Sequence, residues 1–231
     1  MELREIYSNI YQIDLGAVNC YLINEPHGLT LIDAGYARDK PDIIKAIRRL
    51  GKQPANIQQV ILTHLHPDHA GGAAGLQQEF EGPVYAHAAD ATLIAEGICG
   101  RLSVQVTPGF INWCLHKAIV LLGPRSITPV GQIRLINDSE VLPILAGLEV
   151  IHTPGHSAGH VSLLAEHEQL LFAGDVLVNF GGLKPAPVYE DPAAGKASVK
   201  KLAARSFDLA CFGHGKPITN ANQRFSQIYS S

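Results

Sequence analysis

Apolar residues fall along this chain in short runs, most of them closed by a polar or glycine-rich cluster. Residues 6–13, 20–23 and 29–32 are rich in β-branched and aromatic side chains and read as strands. Pro26-His27-Gly28 supplies turn chemistry between the last two, which makes them a hairpin. Over 40–50 the period changes. Ile43, Ile44, Ile47 and Leu50 form one helical stripe, with Lys45, Arg48 and Arg49 largely opposite. Pro41 suits the first turn and Gly51 the stop. Then come a strand at 60–62, a helix at 73–80, a strand at 83–86 and a helix at 89–96. This alternation fits half of a four-layered αββα sandwich, an α+β class.

Residues 97–130 break the pattern. Between glycines and prolines lies the run 110–122, apolar nearly all round if helical. Such a helix must be buried somewhere, yet it is too short to span a membrane. It reads as an extra core helix, a lid, or a homodimer contact. Strands resume at 133–136, 148–152, 161–164 and 169–172; 178–188 reads as a loop. Asp191 and Pro192 open a helix over 191–205 as N-cap and N1, 209–212 is the last strand, and 220–231 a short closing helix.

The 231 residues suit one domain, 1–231, with 97–130 as an insertion. A net charge of −3, with no long basic block, argues against a nucleic-acid partner. Cys20, Cys99, Cys114 and Cys211 are scattered, as in a reduced cytoplasmic chain. No signal-peptide pattern opens the sequence and no apolar run reaches membrane-span length.

The chemistry concentrates after the 60–62 strand, at Thr63-His64-Leu65-His66-Pro67-Asp68-His69-Ala70-Gly71-Gly72. His64 and His66, two apart, point the same way on extended backbone. Asp68 and His69 turn to a second point. One cation cannot easily take all four, whereas two cations a few ångströms apart can. Packing four such side chains together without a cation would cost several kcal/mol of desolvation. Three later strands each end in a ligand-type side chain: His156 in Thr153-Pro154-Gly155-His156-Ser157-Ala158-Gly159-His160, Asp175 in Ala173-Gly174-Asp175, and His214 in Gly213-His214-Gly215.

HxHxDH, TPGHSxGH, AGD and GHG, in this order, resemble the metallo-β-lactamase superfamily over about residues 13–214. The resemblance implies the αββα fold, with a helical insertion between the family's second and third ligand motifs. It implies a first metal held by His64, His66 and His156, a second by Asp68, His69 and His214, and Asp175 bridging them. Hydroxide between the metals would attack a carbonyl, and Asp68 would take a proton from the attacking water. Asp33, in the Asp33-Ala34-Gly35 turn, and His160 are implied to orient the ligands from behind. The cations would be two zinc ions, with iron or manganese as alternatives. Insertions such as 97–130 line the substrate cleft in the family, which points to Phe110, Trp113 and Leu115 as contacts with a small-molecule substrate. Lys184 is a further cation that could hold a substrate carboxylate.

Asp rather than Cys at the bridging position points away from β-lactam hydrolysis and toward glyoxalase II-like, lactonase-like and esterase branches, with an ester, thioester or lactone as substrate. Many N-acyl homoserine lactonases carry Tyr three residues after the bridging Asp, where this chain has Val178. Glyoxalase II adds a C-terminal helical domain, for which the residues after His214 leave no room. From another class, a persulfide-dioxygenase-like iron enzyme would need fewer than these seven ligands.

Overall fold

The computed structural model describes residues 1–99 and 104–229. Residues 100–103 of the expected insertion, and the last two of the expected closing helix, lie outside them. The chain divides into two compact units, Met1–Cys99 with Ser126–Ile136, and Gly100–Arg125 with Asn137–Ser231.

The first unit is built on a seven-stranded sheet. Its strands are β1 (Glu2–Tyr7), β2 (Ile10–Asp14), β3 (Asn19–Glu25), β4 (Gly28–Ile32), β5 (Ile57–Ile61) and β6 (Val84–His87). The two-residue β7 (Gln105–Val106) belongs to the second unit, and β8 (Ile133–Ile136) completes the first. β1 to β4 pair antiparallel in sequence order, and β4-β5-β6-β8 continue in parallel. The single strand expected over 6–13 is two, because Asn9 turns the chain at φ +59°. Helix α1 (Lys40–Arg49) has the expected stripe: Ile43, Ala46 and Ile47 are fully buried. Each buried Ile is worth about 1.5–3 kcal/mol. The chain then passes through α2 (Pro67–Ala70), α3 (Ala73–Leu76) and α4 (Ala88–Glu96). α3 stops short of the expected 73–80 because Gln77 to Glu81 are polar apart from Phe80 and give no apolar face to extend.

The second unit carries a five-stranded sheet in the order β16-β12-β11-β10-β9. These are β9 (Val141–Leu142), β10 (Leu148–His152), β11 (Val161–Ala165), β12 (Leu170–Gly174) and β16 (Leu209–Phe212). β11 and β12 are buried at every residue. The segment expected as a loop over 178–188 is more ordered. β13 (Val178–Asn179) and β14 (Leu183–Lys184) form a hairpin, and β15 (Val188–Tyr189) pairs with β7. Gly181 and Gly182, both at positive φ, make the hairpin tip. Helices α5 (Phe110–Leu122), α6 (Pro192–Ala203) and α7 (Ala221–Gln227) complete the unit. Asp191 caps α6 as expected, its Oδ1 accepting from Ala193 N at 2.9 Å and Ala194 N at 3.0 Å.

Candidate metal centre

In the first unit, the ligand loop leaves β5 and runs into α2, with His66 as N-cap and Pro67 at its start. Asp33 is the hub behind it. It is buried, sits at φ +61°, and accepts from Thr63 N at 2.8 Å, from the Thr63 hydroxyl at 2.8 Å and from His69 Nδ1 at 2.8 Å. These bonds set proton positions. A carboxylate only accepts, so His69 carries its proton on Nδ1 and its lone pair on Nε2. The Thr63 hydroxyl spends its one proton on Asp33. It therefore accepts from His64 Nδ1, 3.0 Å away, which leaves the His64 lone pair on Nε2.

The three imidazoles are packed together. His64 lies edge-on to His66 at 4.7 Å between centroids and tilted against His69 at 4.1 Å. His64 Nε2 is 3.1 Å from His66 Nδ1. His64 and His69 are buried; His66 and Asp68 are half-buried. Asp68 Oδ2 lies 3.8 Å from His69 Nε2. Burial, then the Asp68 charge, push the Tyr36 phenol up to about 12. Behind the loop, a methyl group on Gly72 would sit 2.1 Å from Ala34 O, so only glycine lets the chain cross the Asp33 turn here.

Sequence reading missed Asp90. This buried carboxylate on α4 accepts from Leu65 N at 3.1 Å. Leu65 is the residue between His64 and His66, so Asp90 fixes the backbone that spaces them. The available signal was a carboxylate among the alanines of the first turn of Ala88–Glu96.

In the second unit the donors come from separate strand ends. His156 lies between β10 and β11 and donates Nδ1–H to Val188 O at 2.9 Å, which puts its lone pair on Nε2. Asp175 follows β12. Its Oδ2 is 3.0 Å from His214 Nε2 and 3.5 Å from His156 Nε2. His214 follows β16; Asn179 N donates to its carbonyl at 3.0 Å, and Phe180 lies against its ring at 6.2 Å.

His160 is committed elsewhere. Asp175 N–H donates to its Nε2 at 2.8 Å, so its proton is on Nδ1 and goes to Thr153 Oγ1 at 2.8 Å. The Thr153 hydroxyl donates to Ser162 Oγ at 3.1 Å, and the Ser162 hydroxyl donates to Ala173 O at 3.0 Å. Both ring nitrogens hold backbone or hydroxyl groups, so this imidazole positions Asp175 and has no lone pair left for a cation.

The segment Val188–Asp191 was the other miss. Besides Val188 O, it supplies Glu190 Oε2, which accepts from Ala158 N at 2.9 Å, and Asp191 N, which donates to Gly155 O at 2.9 Å. The Tyr189 ring stands perpendicular to His156 at 6.0 Å. Its hydroxyl donates to Val176 O at 2.8 Å and accepts from Ala186 N at 2.9 Å. Burial raises its pKa, and the group is tied to backbone on both sides. Gly155 at φ +134° lies so close to α6 that a methyl group would meet Gly195 N at 2.3 Å.

The remaining expected contacts are exposed side chains. Lys184 is exposed on the β13–β14 hairpin, opposite Val178. Phe110, Trp113 and Leu115 lie exposed on α5. Among the described residues, no helix is long and apolar enough to cross a membrane.

The donor set within each unit fits divalent cations. It consists of carboxylates and imidazoles, three of which, His64, His69 and His156, have their lone pair on Nε2, and these are the ligand types that zinc, iron and manganese take.

Comparison with known proteins agrees. The chain is 27% identical to the probable metallo-hydrolase YflN of Bacillus subtilis, over 95% of this chain and 89% of that one. It is 24% identical to an N-acyl homoserine lactonase of Bacillus thuringiensis, over 84% and 80%. Among solved structures, the metallo-β-lactamase family protein TTHA1429 of Thermus thermophilus matches with a TM-score of 0.73 at 22% identity, over 96% of this chain and 79% of that one. This likeness shows the fold, the α+β architecture of that family. A family model for the metallo-β-lactamase superfamily matches residues 13–214, and the chain belongs to that superfamily.

Proposed function

We propose that this protein is a metal-dependent hydrolase that cleaves an ester, thioester or lactone of a small molecule. Two divalent cations, zinc before iron or manganese, would be held by His64, His66 and His156, by Asp68, His69 and His214, and by Asp175 between them. The assignment of both sets to one centre rests on the family's order of motifs. When bound, the cations would lower the pKa of water toward about 7 and polarise the substrate carbonyl.

The observation that carries the reading is Asp175. One of its carboxylate oxygens faces the Nε2 atoms of two histidines that come from different strand ends. That is the placement a bridging ligand needs, and His160 holds its backbone there. Asp68, half-buried beside His69, would take a proton from the attacking water.

Within this reading, an acyclic ester or thioester is favoured over an acyl homoserine lactone. Val178 is buried where many lactonases carry Tyr, and the nearby Tyr189 hydroxyl is committed to Val176 and Ala186. The test is metal content per chain together with hydrolysis of a nitrophenyl ester, an acyl-glutathione thioester and an acyl homoserine lactone. About two zinc ions per chain are expected, with turnover on the ester or thioester. Asp175→Ala should lower turnover by more than the roughly 10–100-fold that follows loss of an outer partner. One iron per chain, with oxygen uptake on a persulfide and no hydrolysis, would overturn the reading.

A further inference from the structure

Helix α5 turns five large apolar side chains outward. Phe110, Trp113, Cys114, Lys117 and Leu121 recur at helical spacing and make one stripe; Ile111, Leu115 and Ala118 flank it. Phe110 is 80% exposed, Leu121 79%, Ile111 69%, Trp113 51% and Leu115 45%. Among the described side chains of the helix, Asn112 and His116 are the half-buried ones. Asn112 Nδ2 donates to Thr107 O at 3.1 Å, which ties that side chain to the chain leading into the helix. An amphipathic helix on a monomer surface has the opposite arrangement, as α1 does with Ile43, Ala46 and Ile47 buried.

We propose that α5 is the contact by which two copies of this chain form a two-fold dimer. Area supports a second copy. At about 150–250 Å² for a large side chain, the five exposed ones present on the order of 600 Å² of apolar surface. Two copies would bury up to about 1,200 Å² of it, the lower end of what a specific interface needs. The stripe also matches itself. In an antiparallel pair centred between Cys114 and Lys117, Phe110 meets Leu121 of the second copy at both ends. The Lys117 amine, 5.8 Å from the Trp113 ring centre, has a stem long enough to carry its charge out to the rim. A lipid surface fits less well. The stripe holds one cation, and the chain's net charge of −3 gives no attraction to anionic headgroups.

The inference stands apart from the hydrolase reading and is tested without substrate. Sedimentation velocity of the full chain, over about a hundredfold range of concentration, should show twice the chain mass and dissociation on dilution. Leu121→Glu and Ile111→Glu put a carboxylate in the contact, and each should shift the dimer dissociation constant upward by about 100-fold or more. Circular dichroism of both variants should match the native chain, since neither side chain is buried in the monomer. Native protein that stays at the chain mass throughout overturns the proposal. A dimer unchanged in both variants does so too, because it then forms through another face. Co-sedimentation of the native chain with phosphatidylcholine–phosphatidylglycerol vesicles, lost in the variants, would assign the helix to a membrane surface and overturn it as well.

Discussion

In the unit of Met1–Cys99 and Ser126–Ile136, four donor side chains sit within six residues, and two buried carboxylates brace them from behind. In the other unit, three donors come from three strand ends, and backbone groups do most of the bracing: Val188 O for His156, the His160 relay for Asp175, Asn179 N for the His214 carbonyl. The difference follows from how each set is reached. A contiguous loop has its backbone free of sheet pairing, so something must hold it, and Asp33 and Asp90 do. Donors at strand ends are already placed by the sheet and need only their rings turned.

The largest effect is therefore expected at Asp33. Asp33→Ala removes the acceptor of Thr63 N, the Thr63 hydroxyl and His69 Nδ1 together, and should cost about 3–5 kcal/mol in urea unfolding. Asp33→Asn keeps an acceptor oxygen and tolerates the positive φ at this position, so its cost should be smaller. Equal costs for Ala and Asn would mean that the charge, and not the hydrogen bonds, makes this hub.

Asp90 comes next. Asp90→Ala leaves Leu65 N–H buried without this acceptor, at about 1–3 kcal/mol. The His64–His66 spacing should loosen with it, weakening zinc binding about 10–100-fold by competition with a chelator. Asp90→Asn should restore most of the affinity. Unfolding that weakens while zinc affinity stays put would make Asp90 a core residue with no part in positioning the loop.

The same contrast decided what could be read from sequence. HxHxDH is legible because four metal-type side chains are adjacent, and their desolvation cost needs a cation to offset it. His156, Asp175 and His214 are single residues after ordinary strands, and only the resemblance to a family joined them to the loop. The strands themselves were legible from runs such as Leu170–Gly174, and α6 from Asp191 and Pro192. Asp90 and Val188 were not. Asp90 acts through one backbone N–H and Val188 through its carbonyl, which any residue possesses. Helix 110–122 was legible as apolar all round, and of its three readings, core helix, lid or homodimer contact, the core one does not fit the exposed Phe110, Ile111, Trp113, Leu115 and Leu121.

The smallest effect separates a buried brace from an exposed one. In the second unit Lys201 reaches from α6 to Asp138, at 2.8 and 3.0 Å from its two oxygens, and to His152 O at 3.0 Å. Asp138 Oδ1 also accepts from His152 N at 2.8 Å, so the cluster fixes the end of β10 from which the His156 turn begins. Burial disfavours the Asp138 charge, but the Lys201 ammonium and the His152 N–H outweigh it and hold the carboxyl below its ordinary value. A lowered folded-state pKa gives stability that is present above the unfolded value of about 3.9 and is lost as pH falls through the folded one. Lys201→Met should therefore cost less than about 1 kcal/mol near neutral pH, because the pair is solvent-screened. The deficit should shrink below about pH 4, as Asp138 takes up its proton in the native chain too. It should also shrink in high salt. Asp33→Ala, measured alongside, should keep its deficit in salt, because its partners are shielded from counterions. If both deficits fell together with salt, the division between a buried brace and an exposed one would not hold.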